Sequence, residues 1–250
     1  MPPSLPPEDF VNAAFDEQAP TPTRDLLVIL STPRSGSTFL CDMLRRAGVC
    51  VAHEYFQPYQ YLPALADRWG ARDGNHIDLA AYVAGLRRHR TSAAGILGVN
   101  LHGHHLPVFL KAEPAFADLT PHYVLLRRRD TVAQAVSYHI ARSTGAWSSH
   151  FAPVADSAYD FAGIDAALRN ITLWTTWNEA FLKARGAEPV MLWYEDLVAD
   201  PAAALASIPG VPANAAAGTD LKRQSSGGPG PAFSARYAQD KMRHLASAGS

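Results

Sequence analysis

Apolar positions along this chain fall into two alternating patterns. Leu26-Leu27-Val28-Ile29-Leu30 is an unbroken apolar run, too short for a helix and suited to a strand buried on both faces. After a small polar turn, Phe39, Leu40, Met43, Leu44 and Ala47 recur at helical spacing, which predicts a helix from about Ser37 to Ala47. Gly48 stands where a helix C-cap glycine belongs. Strands are also predicted at Ile96-Leu97-Gly98-Val99, at His122-Tyr123-Val124-Leu125-Leu126-Arg127 and at Pro189-Val190-Met191-Leu192-Trp193. The second of these leads through Asp130, a good N-cap, into a helix carrying Val132, Ala135, Val136 and Ile140.

Helices fill the intervals. One is predicted from Leu79 to Arg88, and the longest from about Phe161 to Ala184, with Phe161, Ile164, Leu168, Ile171, Thr175, Asn178 and Phe181 or Leu182 on its stripe. A short helix near Pro201–Ile208 and a last one from Phe233 to Leu245 complete the set. Residues 51–75, crowded with aromatics and prolines, read as irregular. Apolar strands alternating with helices predict an α/β chain, a P-loop-like three-layer fold with a central, mainly parallel sheet flanked by helices. Residues 1–24 are proline-rich and aperiodic and are expected to form a flexible arm. Residues 25–250 then make one domain, with a mobile Gly/Ala/Pro-rich segment near 209–232.

Composition changes this picture mainly by exclusion. A formal net charge of -1 offers no global field for nucleic acid or an anionic membrane, so any anion site must be local. Cys41 and Cys50 read as small buried thiols in a reducing compartment. The opening Met1-Pro2-Pro3-Ser4 lacks the basic and apolar parts of a signal peptide. No run approaches the ~20 apolar residues of a membrane span. A soluble, cytoplasmic protein is expected.

The candidate chemistry begins at the first turn, Ser31-Thr32-Pro33-Arg34-Ser35-Gly36-Ser37-Thr38. Where a parallel strand runs through such a turn into a helix, the first N–H groups of the helix are unpaired and its dipole is positive, which makes an anion site. Gly36 lets the backbone approach the anion, Ser35, Ser37 and Thr38 add hydroxyl donors, and Arg34 adds a permanent cation. An ATP-binding loop reads G-x-x-x-x-G-K-S/T. Aligning Gly36 on its second glycine puts Ser37 in place of the lysine and moves the positive charge forward to Arg34. That arrangement suits a 5′-phosphate with one leaving bond better than a metal-bound triphosphate.

The run from Leu27 to Leu40 resembles the 5′-phosphosulfate loop of sulfotransferases, and among them the bacterial Stf0-type carbohydrate enzymes. Gly48-Val49 followed by Glu54-Tyr55-Phe56, Arg128-Arg129-Asp130 through Gln134-Ala135-Val136-Ser137-Tyr138, Tyr194-Glu195-Asp196-Leu197 with Asp200-Pro201, and Arg223-Gln224 are similar to that family as well. The resemblance implies 3′-phosphoadenosine 5′-phosphosulfate as sulfuryl donor, released as 3′-phosphoadenosine 5′-phosphate, with no metal. Arg34, Ser35, Gly36, Ser37 and Thr38 would hold its 5′-phosphosulfate. Arg128 and Ser137 would hold the 3′-phosphate, in keeping with the bidentate fit of a guanidinium to phosphate. Arg128 is preferred over Arg129 because the family has a single arginine two positions before the aspartate. Arg223 would close over the nucleotide.

On the acceptor side, the resemblance places a catalytic base at Glu54, beside the catalytic cation Arg34, with His53 as the adjacent alternative. The acceptor would be a hydroxyl of a carbohydrate, glycolipid or other small molecule, attacked through in-line displacement. Homodimers occur in the family. Tyr55, Phe56, Tyr59, Tyr61 and Trp69 could stack on sugar faces or form a satellite core, and Trp147 is a further candidate for the acceptor wall. The family pattern G-x-K-x-x-W is replaced here by Gly98-Val99-Asn100-Leu101-His102-Gly103, without the lysine and the aromatic. His102, His104 and His105 lie close in sequence, but no carboxylate or cysteine follows at ligand spacing. Two other readings share the loop: a P-loop-type nucleotide kinase and a non-catalytic nucleotide-binding homologue.

Overall fold

The computed structural model describes residues 10–17, 21–147, 156–212, 215 and 228–248. Strands are β1 (Asp25–Ser31), β2 (Arg72–Asp73), β3 (His76–Ile77), β4 (Ile96–His102), β5 (Thr120–Arg127) and β6 (Val190–Trp193). Helices are α1 (Ser37–Arg46), α2 (Tyr61–Arg68), α3 (Leu79–Arg90), α4 (Leu106–Ala112), α5 (Thr131–Thr144), α6 (Phe161–Ala184), α7 (Tyr194–Ala199), α8 (Pro201–Ala206) and α9 (Gly230–Ala248). Four strands form one all-parallel sheet in the order β4-β1-β5-β6, and β2 pairs with β3 in a separate antiparallel ribbon.

Period-two side-chain alternation divides the strands between two cores. Leu26, Val28 and Leu30 of β1 join Leu97, Val99 and Leu101 of β4 in a cluster covered by α2, α3 and α4. Leu27 and Ile29 point the other way, into a cluster covered by α1, α7 and α8. Helices therefore lie on both faces of a parallel sheet, the three-layer α/β arrangement expected from the alternating pattern. A third cluster joins α5, α6 and α9 beyond the sheet. Among the described residues no helix is long and apolar enough to cross a membrane. Both cysteines are free and buried.

Several boundaries differ from the sequence reading. Residues 51–75 are not wholly irregular, since α2 and β2 lie within them. Pro63 sits in the first turn of α2, where a missing N–H costs nothing, so it starts a helix rather than excluding one. Strand β4 runs on to His102 because its polar residues are buried and paired, not exposed. Helix α4 was not predicted at all. From the proline-rich N-terminal region, residues 10–17 lie on the end of α3: the fully buried Arg90 donates to the carbonyls of Phe10 and Asn12 and pairs with Asp16 at 2.7 Å. Most of the 209–232 stretch, including Arg223 and Gln224, lies outside the described residues.

Candidate active site

The carboxyl ends of all four parallel strands face one edge, and each delivers a chemical group there. β1 delivers Thr32–Gly36, β4 delivers His102–His105, β5 delivers Arg128–Asp130 and β6 delivers Tyr194. This edge is where open α/β sheets place ligands.

The turn after β1 is held from three sides. Gln134 Nε2 on α5 donates to Thr32 Oγ1 and to the Pro33 carbonyl, both at 2.8 Å. Asn178 Nδ2 on α6 donates to the Ser31 carbonyl at 2.8 Å, and Ser31 Oγ donates to Asn100 Oδ1 at 2.8 Å. Arg34 has φ 65°, a left-handed conformation uncommon for a side chain with a Cβ. Gly36 has φ 91°, and a Cβ there would lie 2.5 Å from Tyr194 Cδ2. Gly36 caps α1 without any side-chain hydrogen bond, so no capping side chain occupies the first N–H groups of the helix. Ser35 Oγ is buried with no hydrogen-bond partner among the described residues. Strand, cradle and open helix end are thus the parts of an anion site.

The second unit, β5 to α5, meets the first directly. Arg34 Nε donates to Ser137 Oγ at 3.0 Å, and Arg34 Nη1 donates to the Trp147 carbonyl. Arg128 lies 5.0 Å from the centroid of the Tyr194 ring, with Nη1 3.5 Å from the Arg34 carbonyl. Its Nε is buried and without a hydrogen-bond partner, and no carboxylate among the described residues pairs with it. Burial pushes the Arg34 guanidinium down to about 10, the Arg128 charge adds to this, and Tyr194 partly opposes it. Two cations, a hydroxyl and an open helix end therefore lie together at this edge. Arg129 is engaged elsewhere: it pairs bidentately with Asp196 at 2.8 and 2.6 Å, and its backbone N–H donates to Glu195.

Glu54 reaches this edge because β4 lacks a side chain at Gly98. A Cβ there would lie 2.5 Å from Cys50 Sγ and 2.8 Å from Ala52 Cβ, so the bare backbone lets the segment 50–53 run beside the strand. His53 bridges to Val99 in parallel fashion, and Asn100 N–H donates to the His53 carbonyl at 2.8 Å. Glu54 follows, with Oε2 3.6 Å from His102 Nδ1 and 3.9 Å from His105 Nε2. The far side of the His102 ring faces the anion loop, with Nε2 3.4 Å from Ser37 Oγ. His53 instead packs against Tyr61, ring centroids 4.4 Å apart and planes tilted by 57°.

His102, His104 and His105 bring ligand-type nitrogens within 4.8 Å of one another, and the fold adds the carboxylate that sequence spacing lacked. Hydrogen bonding gives these rings another task. His105 Nδ1 accepts the His102 N–H at 3.2 Å, which places the proton of a neutral ring on Nε2, the atom facing Glu54. Burial holds all three rings neutral: His104 is lowered to about 4, and His102 and His105 well below the usual histidine range, with neighbouring histidines adding to the effect for those two.

The aromatic residues divide. Tyr55 and Phe56 are fully buried core, and Trp69 packs on Tyr82 and His89, whereas Tyr59 is 79% exposed. Tyr138 carries Trp147 and Trp174 against it, with ring centroids 6.1 and 6.0 Å away. Trp174 also meets His104 at 4.4 Å. Gly103 makes room for it: a Cβ there would lie 2.5 Å from the Trp174 carbonyl oxygen. Sequence reasoning gave no individual role to Gln134, Asn178, Tyr194 or Trp174, and weighed His102 only as a metal ligand. Gln134 and Tyr194 stood inside the family-like motifs, and Asn178 was the amide in an apolar stripe.

With this geometry in place, the comparison with known proteins is decisive. Residues 27–229 match the family described as Stf0 sulphotransferase. The chain belongs to that family. It is also similar to the trehalose 2-sulfotransferase of Mycobacterium tuberculosis, 26% identical over an alignment of 219 residues that covers 72% of this chain and 81% of the relative. Sulfuryl transfer is the chemistry of this Stf0 sulphotransferase, and the matched span takes in both strand–turn–helix units, Glu54 and the histidine turn.

Proposed function

We propose that this protein transfers the sulfuryl group of 3′-phosphoadenosine 5′-phosphosulfate to a hydroxyl of a carbohydrate or glycolipid. The observation that carries the reading is the convergence of Arg34, Arg128 and Ser137 beside a loop whose helix end is open, with Glu54 on its far side. Three features fit the donor: the glycine cradle at Gly36, the buried Ser35 hydroxyl without a partner, and the unpaired Nε of Arg128. Ser35, Gly36, Ser37 and Thr38 would bind the 5′-phosphosulfate. Arg128 and Ser137 would bind the 3′-phosphate, and Arg34, between them, would neutralise charge on the departing phosphate oxygen. Arg223 is assigned to the nucleotide by family resemblance alone.

Glu54 is the proposed base. It is a partly exposed carboxylate, 20% accessible, at the open side of the loop and able to take a proton late in the displacement. His53, packed against Tyr61, is less suited. Tyr138, Trp147 and Trp174 form an aromatic wall suited to a sugar face, and the relative's name makes trehalose the first acceptor to try. Asn100, in the family lysine's place, is bonded to Ser31, so that lysine's task passes to other groups. Cys41 and Cys50, both buried thiols, agree with a reducing compartment.

The test is thermal stabilisation by 3′-phosphoadenosine 5′-phosphate and by ATP, with and without magnesium, followed by labelled sulfate transfer to a panel of sugars, glycolipids and phenols. Stabilisation by the bisphosphate without metal, and transfer to a sugar, is expected. Stabilisation only by ATP with magnesium would overturn the donor assignment.

A further inference from the structure

His102 is buried, comes from the end of β4, and lies between the two halves of the site. One edge of its ring faces Glu54 Oε2 at 3.6 Å through Nδ1, and the other faces Ser37 Oγ at 3.4 Å through Nε2. The ring is held in place by stacking on His105, centroids 5.0 Å apart and planes 24° apart, and its residue is fixed by the His102 backbone N–H, which donates to His105 Nδ1. Burial keeps it neutral, and a neutral imidazole has one N–H and one lone pair.

Resting on the proposed transfer with Glu54 as base, we propose that His102 is a relay that passes the acceptor's proton from Glu54 through Ser37 to the leaving phosphate oxygen. The relay runs on the tautomer that carries its proton on Nε2: Nε2–H is donated to Ser37 Oγ, and the Nδ1 lone pair faces Glu54, where it can take the proton of the carboxylic acid that forms there. The Ser37 O–H then points to the donor's leaving oxygen. In the reaction the acceptor oxygen forms its bond to sulfur as the bond from sulfur to the phosphate oxygen breaks, and the acceptor's proton goes to Glu54. The new carboxylic acid donates to Nδ1, His102 passes its other proton from Nε2 to Ser37, and the Ser37 hydroxyl gives its proton to the departing oxygen. Protons, bonds and charge balance without a metal or a further reactant. The two separations are longer than hydrogen bonds in the uncomplexed site and need to close by under an ångström, as catalytic contacts do when substrate binds.

The relay demands a ring that changes tautomer, which an amide cannot do. His102→Asn keeps a polar atom near the Nδ1 position and His102→Gln one near Nε2. Single-turnover transfer is expected to fall on the order of 10- to 100-fold in both and in His102→Ala, with acceptor KM and bisphosphate stabilisation close to wild type. A wild-type proton inventory in mixtures of light and heavy water is expected to be curved, and that of Ser37→Ala linear. Full restoration by Asn or Gln would reduce His102 to a positioning role and overturn the relay. So would a linear wild-type inventory, which needs no variant to fold, or a wild-type rate in His102→Ala. Transfer retained in Glu54→Gln would instead remove the base assignment on which the inference rests.

Discussion

The proposed donor and acceptor halves of this site share one sheet edge but are held by different means. The donor half is two strand–turn–helix units, from β1 into α1 and from β5 into α5, on parallel strands adjacent in the sheet. Its shape comes from backbone conformation at Arg34 and Gly36 and from amide bonds of Gln134 and Asn178. The acceptor half is gathered from four distant stretches: Glu54, the turn 102–105, Tyr138 with Trp147, and Trp174 on α6. Ring contacts at 4 to 6 Å hold it rather than a hydrogen-bonded loop. A backbone-built site fixes a common donor, and a side-chain-built wall can change its acceptor without disturbing that donor.

The sharpest way to separate the halves is Glu54→Gln. The amide keeps the size of the side chain but cannot take a proton, so the transfer rate is expected to fall by about 10²- to 10⁴-fold. Bisphosphate stabilisation, which belongs to the donor half, should stay at the wild-type level. Equal loss of both would mean that the halves are not separable.

Next in size is Arg128→Ala. Charged hydrogen bonds contribute about 1.5–3 kcal/mol each, so bisphosphate affinity is expected to drop about 10- to 100-fold while the thermal midpoint of the free protein moves little. Isothermal titration against wild type measures it. Because no carboxylate among the described residues pairs with this guanidinium, its removal leaves no buried counter-charge behind. Unchanged affinity would move the 3′-phosphate elsewhere.

The same division explains how much could be read from the chain. Sheet, layers and the Arg34–Thr38 turn were legible because each depends on residues close in sequence: an apolar run, a glycine, a helix stripe. Asp130 caps α5 as expected, accepting from Ala133 N–H at 2.8 Å. The acceptor half was largely illegible because its contacts span the fold. Nothing local says that Gly98 exists to admit Cys50 and Ala52, or that this brings Glu54 to His102. Tyr55 and Phe56 looked as suited to a sugar as to a core, and only their neighbours decide for the core, with Phe56 edge-on to Phe109 at 5.2 Å. Helix α2 was missed because its proline falls where prolines are tolerated.

Gly103→Ala should give a smaller and one-sided effect. The added methyl meets the backbone and Cβ of Trp174 at 2.5 to 2.7 Å, and backbone cannot yield as a flexible side-chain tip can. The turn carrying His104 must therefore move against α6 and displace the aromatic wall. Acceptor KM is expected to rise several-fold and bisphosphate affinity to stay constant. Trp174→Phe should shift acceptor preference in the same assay without the backbone displacement. A donor-affinity loss in Gly103→Ala would show that the Asn178 bond to Ser31 transmits the strain across to the anion loop.

The smallest change is expected from Arg129→Ala, one residue from the most sensitive position of the donor half. Its guanidinium faces outward to Asp196, and its backbone N–H, which any residue supplies, is the group bonded to Glu195. Exposed pairs of this kind add little to stability and are screened by salt. The Asp196 carboxylate is lowered first by its hydrogen bond from Arg129, so whatever the pair contributes is present above the ordinary aspartate pKa and is lost as pH falls through the depressed one. At neutral pH bisphosphate affinity and transfer rate should match wild type, and any drop in thermal midpoint should shrink in high salt. If Arg129→Ala instead weakened the bisphosphate as much as Arg128→Ala, the two guanidinium groups would be interchangeable. The donor half would then be adaptable at the end of β5, and the contrast with the acceptor half would hold only at the Arg34 turn.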